Sequence, residues 1–139
     1  MVIHQSAEDY LESILALEER MGRGQVHSID IVNRLNFSKP SVSIAMKKLR
    51  ENGYISMSGD GAITLLDKGL EIASKVYDRH KTLTNLFERL GVSPGQAEVD
   101  ACKVEHDLSE ETYQKILEFV RRETSGADGA QATRNADGT

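Results

Sequence analysis

The sequence predicts a mainly α fold: an N-terminal winged helix-turn-helix with a small two-stranded wing, followed by an all-helical domain. Two short capped segments, 28–35 and 38–52, flank a tight turn at Asn36-Phe37. The arms Tyr54-Ile55-Ser56-Met57 and Ala62-Ile63-Thr64-Leu65 alternate around Ser58-Gly59-Asp60-Gly61, which reads as a hairpin. Beyond Asp67, apolar residues recur at steps of three and four through three successive stretches. The expected division is a winged helix over residues 1–66, a helical domain over 67–123, and a disordered tail over 124–139.

The bulk composition sets limits. A chain of 139 residues makes one compact domain or two small ones sharing a core. Its net charge is −5, and no apolar run approaches the ~20 residues of a membrane span. Met1-Val2-Ile3-His4-Gln5 lacks a basic region followed by an apolar core, so no signal peptide is expected. The single cysteine excludes an internal disulfide, which makes a reducing cytoplasm the expected location. Placement of charge matters more than its acidic total.

Helix one spans 6–21, with Ser6 as its cap and Asp9 as the partner of that cap. Tyr10, Leu11, Ile14 and Leu17 form its buried stripe. Asp9 and Glu12 share a polar edge, and on their own they read as a cap partner and a solvated surface residue. Gly22 to His27 break the helix, and Ser28 caps the next one, with Ile31, Val32 and Leu35 as its apolar contacts. Ser38 caps the third helix, Pro40 sits in its first turn, and Gly53 stops it.

That third helix has two unlike faces. Val42, Ala45, Met46 and Leu49 point toward a core. Pro40, Ser43, Ile44 and Lys47 point away, flanked by Lys39, Ser41, Lys48 and Arg50, and residues 39–50 contain no acid. Hydroxyls and backbone N–H groups suit phosphates and base edges, and lysines neutralise phosphate. Ser38, Lys39, Pro40, Ser41, Ser43, Lys47 and Lys48 are therefore the candidate DNA contacts of a recognition helix. Asp60 at the wing tip is unhelpful near phosphate.

A long helix from Asp67 to Leu90 carries the stripe Ala73, Val76, His80, Leu83, Phe87 and Leu90. His80 inside that stripe reads, on its own, as a hydrogen-bonded core residue. A further helix begins with Ser93 as cap, Pro94 at its first position and Gln96 completing a capping box. Its apolar stripe is Ala97, Ala101, Val104 and Leu108. Beside it, Cys102, Glu105 and His106 share one face at i, i+3 and i+4, and these are good donors for a transition-metal dication. Alone they read as a small buried thiol and two surface residues. Ser109 caps a last helix to about Glu123, with Tyr113, Ile116, Leu117 and Val120 as its stripe. Apolar faces to spare on these helices point to a homodimer.

The order Glu8-Asp9-Tyr10-Leu11-Glu12, winged helix, Asp78-Arg79-His80, then Asp100-Ala101-Cys102-Lys103-Val104-Glu105-His106-Asp107-Leu108-Ser109 resembles the diphtheria toxin repressor family of metal-dependent transcriptional regulators. It is most similar to the short manganese transport regulator branch, over about residues 5–123. The resemblance implies a homodimeric repressor that binds double-stranded DNA at a palindromic operator and responds to a divalent transition metal, Mn(II) or Fe(II). Zn(II) and Co(II) are expected substitutes in vitro. It also implies the ligand set Asp9, Glu12, His80, Cys102, Glu105 and His106.

The chain departs from the branch pattern at one ligand. The manganese branch has a carboxylate where Cys102 stands, while the iron branch has Cys there and Met in place of Asp9. The oxygen of Asp9 favours manganese and the softer sulfur of Cys102 favours iron, cobalt or zinc. Thr84 and Glu98 stand where the iron branch has ancillary ligands. The polar stretch 124–139 stands where longer members carry an SH3-like domain. Two competing classes remain open on sequence alone. One is a winged-helix regulator sensing a small molecule or redox state through Cys102, and the other is a small metalloenzyme. The second lacks an H-E-x-x-H pattern, a phosphate loop or a nucleophile with an evident base.

Overall fold

The computed structural model describes residues 5–136, with side chains over 6–123. Its elements are α1 (Gln5–Met21), α2 (Ser28–Leu35), α3 (Lys39–Glu51), β1 (Ile55–Met57), β2 (Ile63–Leu65), α4 (Asp67–Arg89), α5 (Pro94–Val104) and α6 (Glu110–Ala136). Two compact units divide between Asp78 and Arg79, inside α4. The N-terminal residues 1–4, read as lacking a leader, lie outside the described residues.

In the first unit the apolar stripes meet as expected. Tyr10, Leu11, Ile14 and Leu17 of α1 pack with Ile31, Val42, Met46, Leu49 and the wing residues Tyr54, Ile55, Ile63 and Leu65. Each aliphatic side chain buried in this way contributes about 1.5–3 kcal/mol. α1 already runs from Gln5, so Ser6 lies inside the helix and is not its cap. The cap of α2 is His27 rather than Ser28, because the His27 N–H donates to Asp30 Oδ2 at 2.8 Å. Asn36 closes α2 in the left-handed region, at φ 58°. Ser38 caps α3 as expected, its Oγ accepting the Ser41 N–H at 3.2 Å, with Pro40 in the first turn.

The wing is an antiparallel pair in the register Ile55 to Leu65, Ser56 to Thr64 and Met57 to Ile63. Its loop is tied by the Ser58 hydroxyl, which donates to the Asp60 carboxylate and accepts the Ala62 N–H. The Ser58 hydroxyl, and after it the Ala62 N–H that donates to Asp60 Oδ1 at 3.2 Å, hold the Asp60 carboxyl below its usual range. Two features go beyond the hairpin pattern. Ile63 N–H donates to Val26 O at 2.7 Å, so the stretch after α1 adds a bridge to the wing. Leu65 is held at both backbone groups, its N–H by Glu18 Oε1 at 3.1 Å and its carbonyl by Arg23 Nη2 at 3.2 Å.

The start of α4 lies tight on this wing. A Cβ at Gly69 would meet Tyr54 O at 2.1 Å, so only glycine permits the approach. The first turns of α4 are therefore part of the first unit.

In the second unit, Leu83 of α4, Ala97 and Ala101 of α5, and Tyr113 and Val120 of α6 are buried. Leu90 is 71% exposed and does not continue the stripe, because α4 ends at Arg89. Ser93 stands at the N-cap of α5 without a side-chain cap bond. Gln96 turns instead to Asp100, its Nε2 donating to Oδ1 at 2.9 Å, so the expected capping box is absent. Ser109 does cap α6, its Oγ accepting the Thr112 N–H at 3.1 Å. The tail expected from residue 124 continues α6 in its backbone to Ala136, with no proline to stop it. Residues 137–139 of that tail lie outside the described residues. Among the described residues, no helix is long and apolar enough to cross a membrane.

Candidate metal centre and nucleic-acid interface

The second unit gathers four of the six candidate ligands. Cys102 lies in the last turn of α5. Glu105 follows as its C-cap residue at φ −57° and ψ −29°, with its N–H bonded to Ala101 O. Helical geometry thus persists one residue past the helix, and the i, i+3 relation survives. His106 begins the turn into α6. Cys102, Glu105 and His106 each offer a ligand atom within 4.8 Å of the others. From α4, His80 Nδ1 lies 2.9 Å from Glu105 Oε2. His106 Nε2 lies 3.3 Å from Glu105 Oε1.

Glu105 is the centre of this arrangement. It is 1% exposed, and a buried carboxylate is costly unless charge or hydrogen bonds compensate it. Two imidazoles flank it, one on each oxygen. Glu98 approaches His80 Nε2 only at 3.9 Å and is largely exposed. A carboxylate, two imidazoles and a thiol converging in this way mix oxygen, nitrogen and sulfur donors, which fits a first-row divalent metal.

The other two candidates belong to the first unit. Asp9 and Glu12 lie on α1, with Asp9 half-buried. Glu12 is 7% exposed, so it is not the solvated surface residue that its position also allowed.

All seven candidate DNA contacts, Ser38, Lys39, Pro40, Ser41, Ser43, Lys47 and Lys48, are exposed, while Val42, Met46 and Leu49 turn inward. Ile44 stands 58% exposed on the same outward side. Shallow grooves beside α3 are lined by Ser28, Ile29 and Lys39, and by Ser43, Lys47 and Arg50. The Ser38 hydroxyl donates to Ser41 Oγ at 2.8 Å while accepting the Ser41 N–H, so it is committed to starting the helix. Arg79, next to His80 on α4, has no role legible in the sequence pattern. It is buried beside His80, and its guanidinium reaches the turn that carries Glu105.

Comparison with known proteins agrees with this geometry. Residues 3–63 match the family described as iron dependent repressor, N-terminal DNA binding domain. Residues 66–131 match iron dependent repressor, metal binding and dimerisation domain. An uncharacterised helix-turn-helix-type transcriptional regulator of Methanocaldococcus jannaschii is 36% identical over 119 residues, covering 85% of this chain and 94% of that protein. The transcriptional regulator MntR of Salmonella typhimurium is 32% identical over 121 residues, covering 87% of this chain and 76% of its own length. Among solved structures, a manganese-dependent transcriptional repressor in complex with manganese superposes with a TM-score of 0.70 at 26% identity. That match covers 82% of this chain and 52% of the other, so the chain spans about half the length of that structure.

Proposed function

Because this chain belongs to the iron-dependent repressor family of transcriptional regulators, the diphtheria toxin repressor family of the sequence resemblance, we propose that it is a metal-dependent DNA-binding repressor of metal-homeostasis genes. It acts as a homodimer on a palindromic operator in the cytoplasm, and it is a regulator rather than an enzyme. The observation that carries the metal reading is Glu105, buried between His80 and His106 with Cys102 beside it.

Its ligands are His80, Cys102, Glu105 and His106, with Asp9 and Glu12 of α1 supplied by the family resemblance. The burial of Glu12 supports its place in that set. Mn(II) or Fe(II) is the physiological metal, with Zn(II) or Co(II) able to substitute in vitro. Asp9 and Cys102 pull that choice in opposite directions. A bound dication supplies positive charge to the buried carboxylates and a common anchor to donors from separate helices.

The chain's own residues do the rest. Lys39, Lys47 and Lys48 neutralise phosphates, which orients the protein on the duplex without reading sequence. Ser41, Ser43 and Pro40 bring the start of α3 to base edges, and Ile44 offers an apolar contact of the kind that suits a thymine methyl. Asp9, Glu12 and Glu105 are negative charges in an acidic protein, and they oppose DNA until they are neutralised.

The test is anaerobic selection from a random duplex pool with chelator, Mn(II), Fe(II) or Zn(II), repeated with Glu105→Ala and Cys102→Ala. A palindromic site should be enriched with metal only, and Glu105→Ala should lose that enrichment while keeping its helical content. Equal recovery with and without chelator would refute the metal-dependent reading. The metal acting at the lowest free concentration, and its change in Cys102→Ala, assigns selectivity.

A further inference from the structure

Arg79 is almost as buried as its neighbours in the core, at 8% exposure, although it carries a permanent charge. Its Nη1 donates to two backbone carbonyls, Glu105 O at 3.2 Å and Leu108 O at 3.0 Å. Its Nη2 donates to Glu110 Oε2 at 2.6 Å, and the guanidinium carbon lies 4.9 Å from the centre of the Tyr113 ring. One side chain thus ties the end of α5, the turn after it and the start of α6.

That turn needs such a tie. The last carbonyls of a helix lack intrahelical partners, and Glu105 and Leu108 lie just past Val104, where α5 ends. Between Glu105 and Ser109 the turn's own backbone offers the Asp107 N–H to Val104 O at 3.0 Å. Arg79 satisfies the Glu105 and Leu108 carbonyls. The next residue on α4, His80, bonds the Glu105 carboxylate. Consecutive residues therefore hold Glu105 at both ends, Arg79 at its backbone and His80 at its side chain.

We propose that Arg79 is a positioning residue for the metal centre: by fixing the Glu105 and Leu108 carbonyls it sets where the Glu105 carboxylate and the His106 ring stand, and thereby sets the affinity for a divalent cation. This rests on the metal reading above. A lysine cannot reproduce the role, because its ammonium is a point charge without the planar fork that reaches two carbonyls and a carboxylate together. A group supporting metal ligands from behind is typically worth about 10–100-fold in metal affinity.

The test uses the full chain with Co(II) as probe. Arg79→Lys should bind Co(II) about 10–100-fold more weakly than the parent, with altered intensity of the visible bands and of the thiolate-to-cobalt absorption of Cys102. Glu110→Ala, at a partner whose side chain is 54% exposed, frees one arm of the fork. In the metal-free protein it should speed amide exchange across residues 105–109 about tenfold while leaving α4 unchanged. If Arg79→Lys melts earlier but binds Co(II) with parental affinity and spectrum, Arg79 is only a structural ion pair and the proposal is overturned. Parental exchange in Glu110→Ala overturns it also, even if Arg79→Lys fails to fold. If the parent binds no Co(II), the metal reading itself fails. Parental binding with unchanged variants refutes only the role of Arg79.

Discussion

Replacing Gly69 with alanine tests how the winged helix receives α4. The added Cβ would stand 2.1 Å from Tyr54 O, 3.0 Å from Tyr54 C and 3.3 Å from Leu65 Cδ2. The first two atoms are backbone of the residue that leads into β1 and cannot rotate aside. Tyr54 O also accepts the Leu66 N–H at 3.0 Å, so moving it breaks the bond that seats the start of α4. Overpacking of this kind costs about 3 kcal/mol at the upper end of its usual range. Alanine returns about 1 kcal/mol as the better helix former. The net loss is about 2 kcal/mol, which at roughly 4 °C per kcal/mol for a chain of this size lowers the melting temperature by about 8 °C. Far-UV circular dichroism melts of the metal-free protein measure it. Gly95→Ala is the control: nothing lies within 4 Å of its Cβ position, so it should be neutral or slightly stabilising. A Gly69→Ala protein that melts at or above the parent would refute the close approach of α4 to Tyr54.

Lys47→Ala should weaken binding to every duplex by a similar factor and reduce the salt slope of log K by about 1, measured by titration at several salt concentrations. A sequence-selective loss would mean that Lys47 reads bases. The depressed Asp60 carboxyl contributes stability that is present above its unfolded pKa and is lost as pH falls through its lower folded pKa. An NMR titration should place its midpoint below 3.8, and Ser58→Ala should move it upward. Chelation of protein held at a hundredfold excess of metal over Kd should remove about 2.7 kcal/mol of stability, read as a drop in melting temperature, and should leave Glu105→Ala unaffected.

What could be read from sequence was what local chemistry dictates. Ser38 and Pro40 start α3 wherever the rest of the chain lies, and the Gly- and Asp-rich loop fixes the hairpin. Cys102, Glu105 and His106 were legible because Glu105 keeps helical dihedrals after α5 has ended. His80 was ambiguous, since a stripe position says nothing of a carboxylate partner far along the chain. The same distance hid Arg79, whose partners are two backbone carbonyls and Glu110. Competition between local options misled elsewhere: Gln96 prefers the Asp100 carboxylate to its own cap, and Asp30 selects His27 over Ser28. Residues 124–136 are small and polar, yet Ala127, Ala130, Ala132 and Ala136 suit helix, and α6 continues through them.

The tie at Leu65 gives the first unit a mechanical consequence. Glu18 near the end of α1 and Arg23 just after it hold the N–H and carbonyl of the last residue of β2, completing the edge of the wing with side chains where a third strand would use its backbone. Val26 adds a backbone bond to Ile63 two residues before. Asp9 and Glu12 sit on that same α1, whose apolar stripe shares one buried core with Val42 and Met46 of α3. Helix and wing therefore move as one packed body, because a close-packed core transmits displacement rather than absorbing it. A restraint applied to the carboxylates of α1 is felt at the wing and at α3 together. That is the property a winged helix needs if metal binding is to set where its recognition helix stands, without any metal ligand on the recognition helix itself.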